Sequence, residues 1–262
     1  MKALFFDIDG TLISFSTRHI PDSTLAALEQ CHAKGIRLYI ASGRPPGQLK
    51  LLCPEFHDIP FDGYILLNGQ YCMNAKKELF FHRPIAGKTL EVLVPYLKTV
   101  DYPVSVYELD YMYELRFNPG MYAYYKSLGK EDQMPPVEPA ERMLEHDIYQ
   151  ICPYVSEDRD AEFLAHAPGM KSARWISSFA DMIPSDGGKP EGIREVLKRE
   201  NIDISECMAF GDGGNDITML QACGIGVAMG NAEERVKAAA DYVTSSVDED
   251  GIARALSHFC VI

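Results

Sequence analysis

Residues 3–6, ALFF, form an apolar run that stops at Asp7-Ile8-Asp9-Gly10-Thr11-Leu12. Two carboxylates this close at the end of a buried strand repel each other. Burying them is costly unless a cation or a shared proton compensates. Other apolar runs stop in the same manner. Residues 36–40 lead into Ala41-Ser42-Gly43-Arg44, residues 64–67 into Asn68-Gly69, and residues 208–210 into Gly211-Asp212-Gly213-Gly214-Asn215-Asp216. Glycine permits tight turns and close approach of a ligand to the backbone. The compensating partner that suits Asp7, Asp9 and Asp212 is Mg2+. It is a hard ion that takes about six oxygens, keeps several waters and is completed by substrate phosphate.

Taken singly, each fragment is ordinary. Asp-x-Asp at a strand end is commonly a turn with solvated carboxylates, and Ser-Gly and Asn-Gly are common loop dipeptides. Lys189 read by itself is a surface lysine. The order of the fragments carries more, because open α/β sheets bind ligands outside the carboxyl ends of their strands.

The elements that must position these residues follow from hydrophobic pattern. Pro21-Asp22-Ser23-Thr24 opens a helix with Leu25, Leu28 and Cys31 on one face, closed by Lys34-Gly35. Pro45-Pro46 opens another helical stretch. Continuous apolar strands alternating with helices predict a parallel sheet covered on both faces. The middle of the chain reads differently. A helix over 87–99, a hairpin over 104–117 around Asp110, a helix over 119–128, a loop over 133–141, and strands over 148–155 and 171–177 flanking a helix over 157–166 predict an α+β module. The strand–helix rhythm then returns, with a helix over 190–200 and strands over 208–210, 225–228 and 242–244. The expected organisation is a Rossmann-like, doubly wound parallel-sheet α/β core, residues 1–82 and 185–262, interrupted by an inserted α+β cap domain, residues 83–184.

Composition narrows the classes of function. The chain has 262 residues, 47% of them hydrophobic, and a formal net charge of −13. An acidic surface repels nucleic acid and anionic membrane, so neither is an expected partner. An anionic substrate therefore needs a local cationic pocket. The seven cysteines are scattered, with no CxxC pair, and read as reduced thiols of a cytoplasmic protein. The apolar run at the N-terminus is too short for a signal peptide, and no segment is long enough to span a membrane. The seven histidines form no HxxxH or HxH pair, which argues against a histidine-ligated zinc.

The motifs together resemble the haloacid dehalogenase superfamily, and in particular its Cof-type (subfamily IIB) sugar-phosphate phosphatases. Residues 7–12 resemble the first motif, DxDGTL, and Ser42-Gly43-Arg44 the second. Lys189 stands where the third motif's lysine is expected, although Pro190 and Glu191 follow it where the family often has glycine. The fallback, Lys198, falls inside the expected helix. Residues 211–216 resemble the fourth motif, GDGxND, and the segments around Met229-Gly230-Asn231 and Asp250-Gly251 are similar to this branch.

The resemblance implies a phosphoric monoester hydrolase. Asp7 is implied as nucleophile, forming an aspartyl-phosphate. Asp9 is implied as the acid that protonates the leaving alkoxide and then as the base that activates water. Mg2+ is implied to be held by Asp7, the backbone carbonyl of Asp9, and Asp212. Ser42, the Gly43 amide, Lys189 and Asn215 are implied to hold phosphate oxygens. Asp216 is implied to orient Lys189 or a metal-bound water, and Arg44, Asn68 and Gly69 to line the substrate side. The expected substrate is a small phosphate monoester, such as a hexose phosphate, with cap residues around Arg174 and Trp175 as candidate leaving-group contacts. Three rivals share these features: a phosphomutase, a phospho-accepting receiver module and a catalytically idle metabolite sensor. A receiver needs no insert, and a sensor has no use for Asp9 as proton donor.

Overall fold

The computed structural model describes residues 1–127 and 134–262. Leu128 and Gln133, end residues of an expected helix and an expected loop, lie outside the described residues. Two compact units make up the chain. The first comprises Met1–Arg44, Gln48–His82 and Gly187–Ile262, and the second Pro45–Gly47 and Arg83–Asp186.

In chain order the first unit begins with β1 (Ala3–Phe6), β2 (Arg37–Ala41), β3 (Gly63–Leu66), β4 (Tyr71–Asn74) and β5 (Leu79–His82). The second unit contributes β6 (Val104–Tyr107), β7 (Met112–Glu114), β8 (Gln150–Pro153), β9 (Met170–Ile176) and β10 (Phe179–Pro184). The chain then returns to the first unit with β11 (Cys207–Gly211), β12 (Ile225–Ala228) and β13 (Tyr242–Val243).

The first unit is built on one sheet of order β13-β12-β11-β1-β2-β3-β4-β5. Pairing is parallel from β13 through β3. All of Ala3–Phe6 is fully buried, so β1 needs apolar side chains on both faces, which is why its sequence shows no alternation. Ala3, Phe5, Tyr39 and Ala41 pack with Ile193, Val196 and Leu197 of the helix Lys189–Glu200. That helix starts with Pro190 in its first turn and ends at Asn201, whose left-handed φ of 53° turns the following Ile202 N–H back to the Leu197 carbonyl at 3.1 Å. Elsewhere in the unit, the helices Asp22–Ala33 and Gly251–His258 pack against each other.

The sheet is mixed rather than wholly parallel, because β4 and β5 join it antiparallel. Their turn holds neither glycine nor proline and so gives no breaker signal in the sequence. The Asn74 side-chain oxygen accepts from the amides of Lys76 and Glu78 at 3.0 Å each, and Lys77 takes a φ of 61°. The stretch expected as a helix after Pro45-Pro46 is a 3-10 turn, Pro46–Leu51.

The second unit carries an antiparallel sheet of order β7-β6-β8-β10-β9. Strand β10, absent from the sequence expectation, follows β9 after only two intervening serines. One sheet face is apolar. Val104, Val106, Tyr113, Ile151, Ala180 and Met182 pack with Leu90, Leu93, Val94 and Leu97 of the helix Gly87–Leu97. Ser105, Glu114, Cys152 and Asp181 alternate onto the other face, with Ser105 in register with both Glu114 and Cys152. Arg174, expected near the substrate, is buried and bound to Asp160 at 2.5 Å and to the carbonyls of Val155, Ile176 and Ser177. It braces the unit. Trp175 is 38% exposed and meets Phe179 edge to face.

Glu114 is 2% exposed. Its Oε1 accepts from the Ser105 hydroxyl, whereas its Oε2 is buried without a partner. Burial pushes its pKa up to about 7, against the pull of the Ser105 hydrogen bond. The folded chain thus prefers a protonated Glu114, and stability falls as pH rises from the unfolded value of 4.5 through about 7. Glu114→Gln is expected to raise unfolding free energy at pH 8 by up to about 3 kcal/mol, at 1.36 kcal/mol per pKa unit. Little gain is expected at pH 4, and urea titrations of both proteins at the two pH values measure the difference.

Candidate functional site

The residues singled out by the sequence converge at the carboxyl ends of adjacent strands. Chain order reverses at β1, with β2 on one side and β11 on the other, which is where open α/β sheets form a crevice. Asp7 and Asp9 follow β1, Ser42 to Arg44 follow β2, Asn68 follows β3, and Asp212 to Asp216 follow β11. The ladder continues one residue beyond the strands: the Asp7 amide donates to Phe210 at 3.0 Å and the Ser42 amide to Ile65 at 2.8 Å. Asp7 and Ser42 are therefore fixed by backbone bonds. Gly10, at a φ of 84°, lets the first loop pass close to the second, since a β-carbon there would lie 2.2 Å from Asp212 Oδ2.

Lys189 sits at the start of its helix, 1% exposed. Its ammonium donates to Asp7 Oδ1 at 2.6 Å and to Asp216 Oδ1 at 2.5 Å. A buried ammonium would ordinarily lose its proton, but the Asp216 and Asp7 charges outweigh desolvation and raise its pKa. Asp216 uses its other oxygen to accept from the Asp212 and Gly213 amides at 3.0 and 2.9 Å. Burial raises the pKa of Asp7 well above the usual carboxylate range against the opposing pull of Lys189, and Asp216, Asp212 and Asp9 raise it further. Asp212 is pushed up to about 7, by burial first and by Asp216 second. The alternative lysine, Lys198, is exposed on the helix surface.

Thr11 and Asn231 have roles that sequence reading missed. Thr11 Oγ1 donates to Asp212 Oδ1 at 2.8 Å. Asn231 donates to the Gly10 carbonyl at 2.9 Å and to Asp212 Oδ2 at 3.4 Å, and accepts from the Val247 amide at 2.9 Å. Both residues stood inside quoted motifs, yet their partners are distant in sequence and left no local signal.

Asp9 faces Arg44, which binds both of its carboxylate oxygens, through Nε at 2.6 Å and Nη2 at 2.7 Å. Ser42 is buried, with its hydroxyl accepting from the Arg44 amide at 3.2 Å. Asn68 is buried, and its Oδ1 accepts from Asn215 Nδ2 at 3.0 Å. Gly69 is buried against the backbone of Gly188.

The donor set suits a hard divalent cation. Carboxylate oxygens of Asp7, Asp212 and Asp216 lie within 4.8 Å of one another. Asp216 is saturated by Lys189 and two amides, which leaves Asp7 and Asp212 as the carboxylates able to turn to an ion. The side chain of Asp9 is engaged by Arg44. Four carboxylates, Asp7, Asp9, Asp212 and Asp216, meet two cations, Lys189 and Arg44. Burial raises the pKa values of Asp7 and Asp212 most, and the neighbouring carboxylates add to it.

Removing the central cation exposes the cost of burying its partners. Lys189→Met is expected to destabilise the fold by about 3–5 kcal/mol, the range for stranding one side of a buried ion pair. Urea unfolding at pH 8 measures the loss; a change below about 1 kcal/mol contradicts the pairing described.

A family model described as haloacid dehalogenase-like hydrolase matches residues 4–256. The Bacillus subtilis (strain 168) protein YkrA, provisionally named a phosphatase, is 33% identical over 257 residues, covering 97% of this chain and 96% of its own. A solved structure of a haloacid dehalogenase subclass IIB sugar phosphatase matches with a TM-score of 0.88 and 38% identity, over 100% of both chains. A second, from work on phosphatases of the same superfamily in Bacteroides thetaiotaomicron, matches with a TM-score of 0.91 and 35% identity, over 100% of this chain and 96% of that one. With its strand-end carboxylates, buried lysine and inserted unit, the chain belongs to the haloacid dehalogenase-like hydrolases, as a phosphatase of subclass IIB.

Proposed function

We propose that the enzyme hydrolyses small phosphate monoesters, with sugar phosphates as its substrate class, through an aspartyl-phosphate on Asp7. The observation that supports this most is the Lys189 contact. It occupies Asp7 Oδ1 and leaves Oδ2 as the oxygen presented for attack. Lys189 also favours the ionised form of Asp7, which burial opposes. The sugar-phosphate class rests on the similarity to the subclass IIB sugar phosphatase. The α+β insert, residues 83–184, is the proposed cap domain.

In the first step, Asp7 Oδ2 bonds to phosphorus as the bond from phosphorus to the leaving oxygen breaks. Asp9 gives its proton to that oxygen. In the second, water bonds to phosphorus, the bond to Asp7 breaks, and Asp9 takes the water proton. Both Asp9 oxygens are held by Arg44, so the resting carboxylate matches the second role. For the first, Asp9 has to leave the guanidinium and carry a proton. Ser42, the Gly43 amide, Lys189 and Asn215 hold the phosphate oxygens in this scheme, Asp216 holds Lys189 in line, and Arg44 borders the substrate; Asn68 and Gly69, expected on the substrate side, are both buried. Asp7, the Asp9 carbonyl and Asp212 would hold Mg2+, which would neutralise charge between the nucleophile and phosphate.

Phosphate release from a panel of sugar phosphates and nucleotides tests the reading. Release is expected with Mg2+, strongest for one or a few sugar phosphates, and is expected to stop on chelation. Asp7→Asn is expected to lower the rate by at least about a thousandfold. Full activity in that variant removes the nucleophile assignment, and isomerised sugar phosphate without free phosphate identifies a mutase.

A further inference from the structure

Leu67, Asn68 and Gly69 take successive positive φ values of 51°, 52° and 92°. Glycine adopts such values freely, and asparagine is enriched there, but a bulky residue such as leucine rarely does. Backbone of this kind persists only where its surroundings over-determine it, and it gathers at functional sites. Here the surroundings are specific. The Leu67 amide donates to the Arg44 carbonyl at 3.1 Å and the Asn68 amide to the Ser42 carbonyl at 3.0 Å. Gln70 Nε2 reaches the Asn68 carbonyl at 3.4 Å. On the other side, Gly69 backs onto Gly188 so closely that a β-carbon would lie 2.0 Å from the Gly188 carbonyl oxygen. The turn is thus locked between the loop bearing Ser42 and Arg44 and the residue preceding Lys189.

At the centre of that turn, Asn68 is 1% exposed, too buried to offer a surface to a ligand. What it offers is Oδ1, which accepts from Asn215 Nδ2 at 3.0 Å across 147 residues of sequence. We infer that Asn68 is a positioning residue for phosphate binding: its Oδ1 fixes the orientation of the Asn215 amide, so that the second Nδ2 hydrogen is held for a phosphate oxygen. Asparagine suits the position on two counts, since it tolerates the left-handed conformation and carries a neutral acceptor. Without that acceptor the Asn215 amide can rotate, and its oxygen can turn toward an anion that it repels. The inference rests on the proposed contact between Asn215 and phosphate, and the experiment separates the two.

Inhibition by inorganic phosphate, with p-nitrophenyl phosphate as substrate, reads the binding of the phosphate group alone. Asn68→Gly removes the acceptor while keeping a residue at ease at this φ, and Asn68→Ala serves as the second variant should the glycine variant not fold. Asn215→Ala is expected to raise the phosphate inhibition constant about tenfold, the usual scale for a hydrogen bond to a charged group. Asn68→Gly is expected to raise it comparably, and the double variant to be no worse than Asn215→Ala alone. A purely structural role for Asn68 would lower thermal stability and leave the inhibition constant unchanged. That result, beside a weakened Asn215→Ala, overturns the inference, as do fully additive losses. An unchanged constant in Asn215→Ala removes the phosphate role of Asn215, and the inference with it.

Discussion

The site depends on one buried ammonium. Lys189 lies between Asp7 and Asp216, and each of the three is costly to bury without the others. Geometry repays much of that cost. Lys189 donates to both acids, and Asp216 takes two further backbone amides on its second oxygen. The cluster also joins segments far apart in sequence: the end of β1, the start of the helix Lys189–Glu200 and the loop after β11. Any slip of one of these segments would strand a buried charge.

Close approach of backbones makes the network possible. The first loop reaches the fourth motif only because Gly10 has no side chain in the path of Asp212. The turn after β3 reaches Gly188 only because Gly69 is equally bare. Around these contacts, uncharged groups act as spacers. Thr11 and Asn231 address the two oxygens of Asp212, and Asn68 addresses Asn215. Most of these acidic and amide groups are held by a neighbour from another segment, which limits rotation where reacting atoms must meet within a fraction of an ångström.

The sequence shows most of this site because strand-end motifs are local. Asp7, Ser42 and Asp212 each follow a short apolar run, and the parallel order that gathers such ends follows from the strand–helix rhythm. Lys189 begins its helix despite the proline after it, since proline suits a first helical turn. Hidden features are those whose cause is distant. The roles of Thr11 and Asn231 depend on partners in other segments. The β4–β5 hairpin turns on an asparagine side chain instead of glycine, so the sheet's antiparallel edge left no breaker in the sequence. Arg174 looked like a substrate contact, yet its five donors are directed at Asp160 and nearby carbonyls.

An acidic protein that acts on an anion has an electrostatic difficulty, and the site shows how it is met. With a formal net charge of −13, the chain as a whole does not attract phosphate. Locally, Lys189 and Arg44 are already committed to carboxylates, so neither offers an unbalanced positive charge to an incoming dianion. Four acids against these two cations leave a deficit of two charges. A divalent ion held by Asp7 and Asp212, as proposed, would make up that deficit, and it would increase phosphate affinity by the same factor that phosphate increases affinity for the ion. Under that proposal, metal and substrate would be thermodynamically coupled through the charge they share. The same carboxylates that repel phosphate would hold the ion that attracts it.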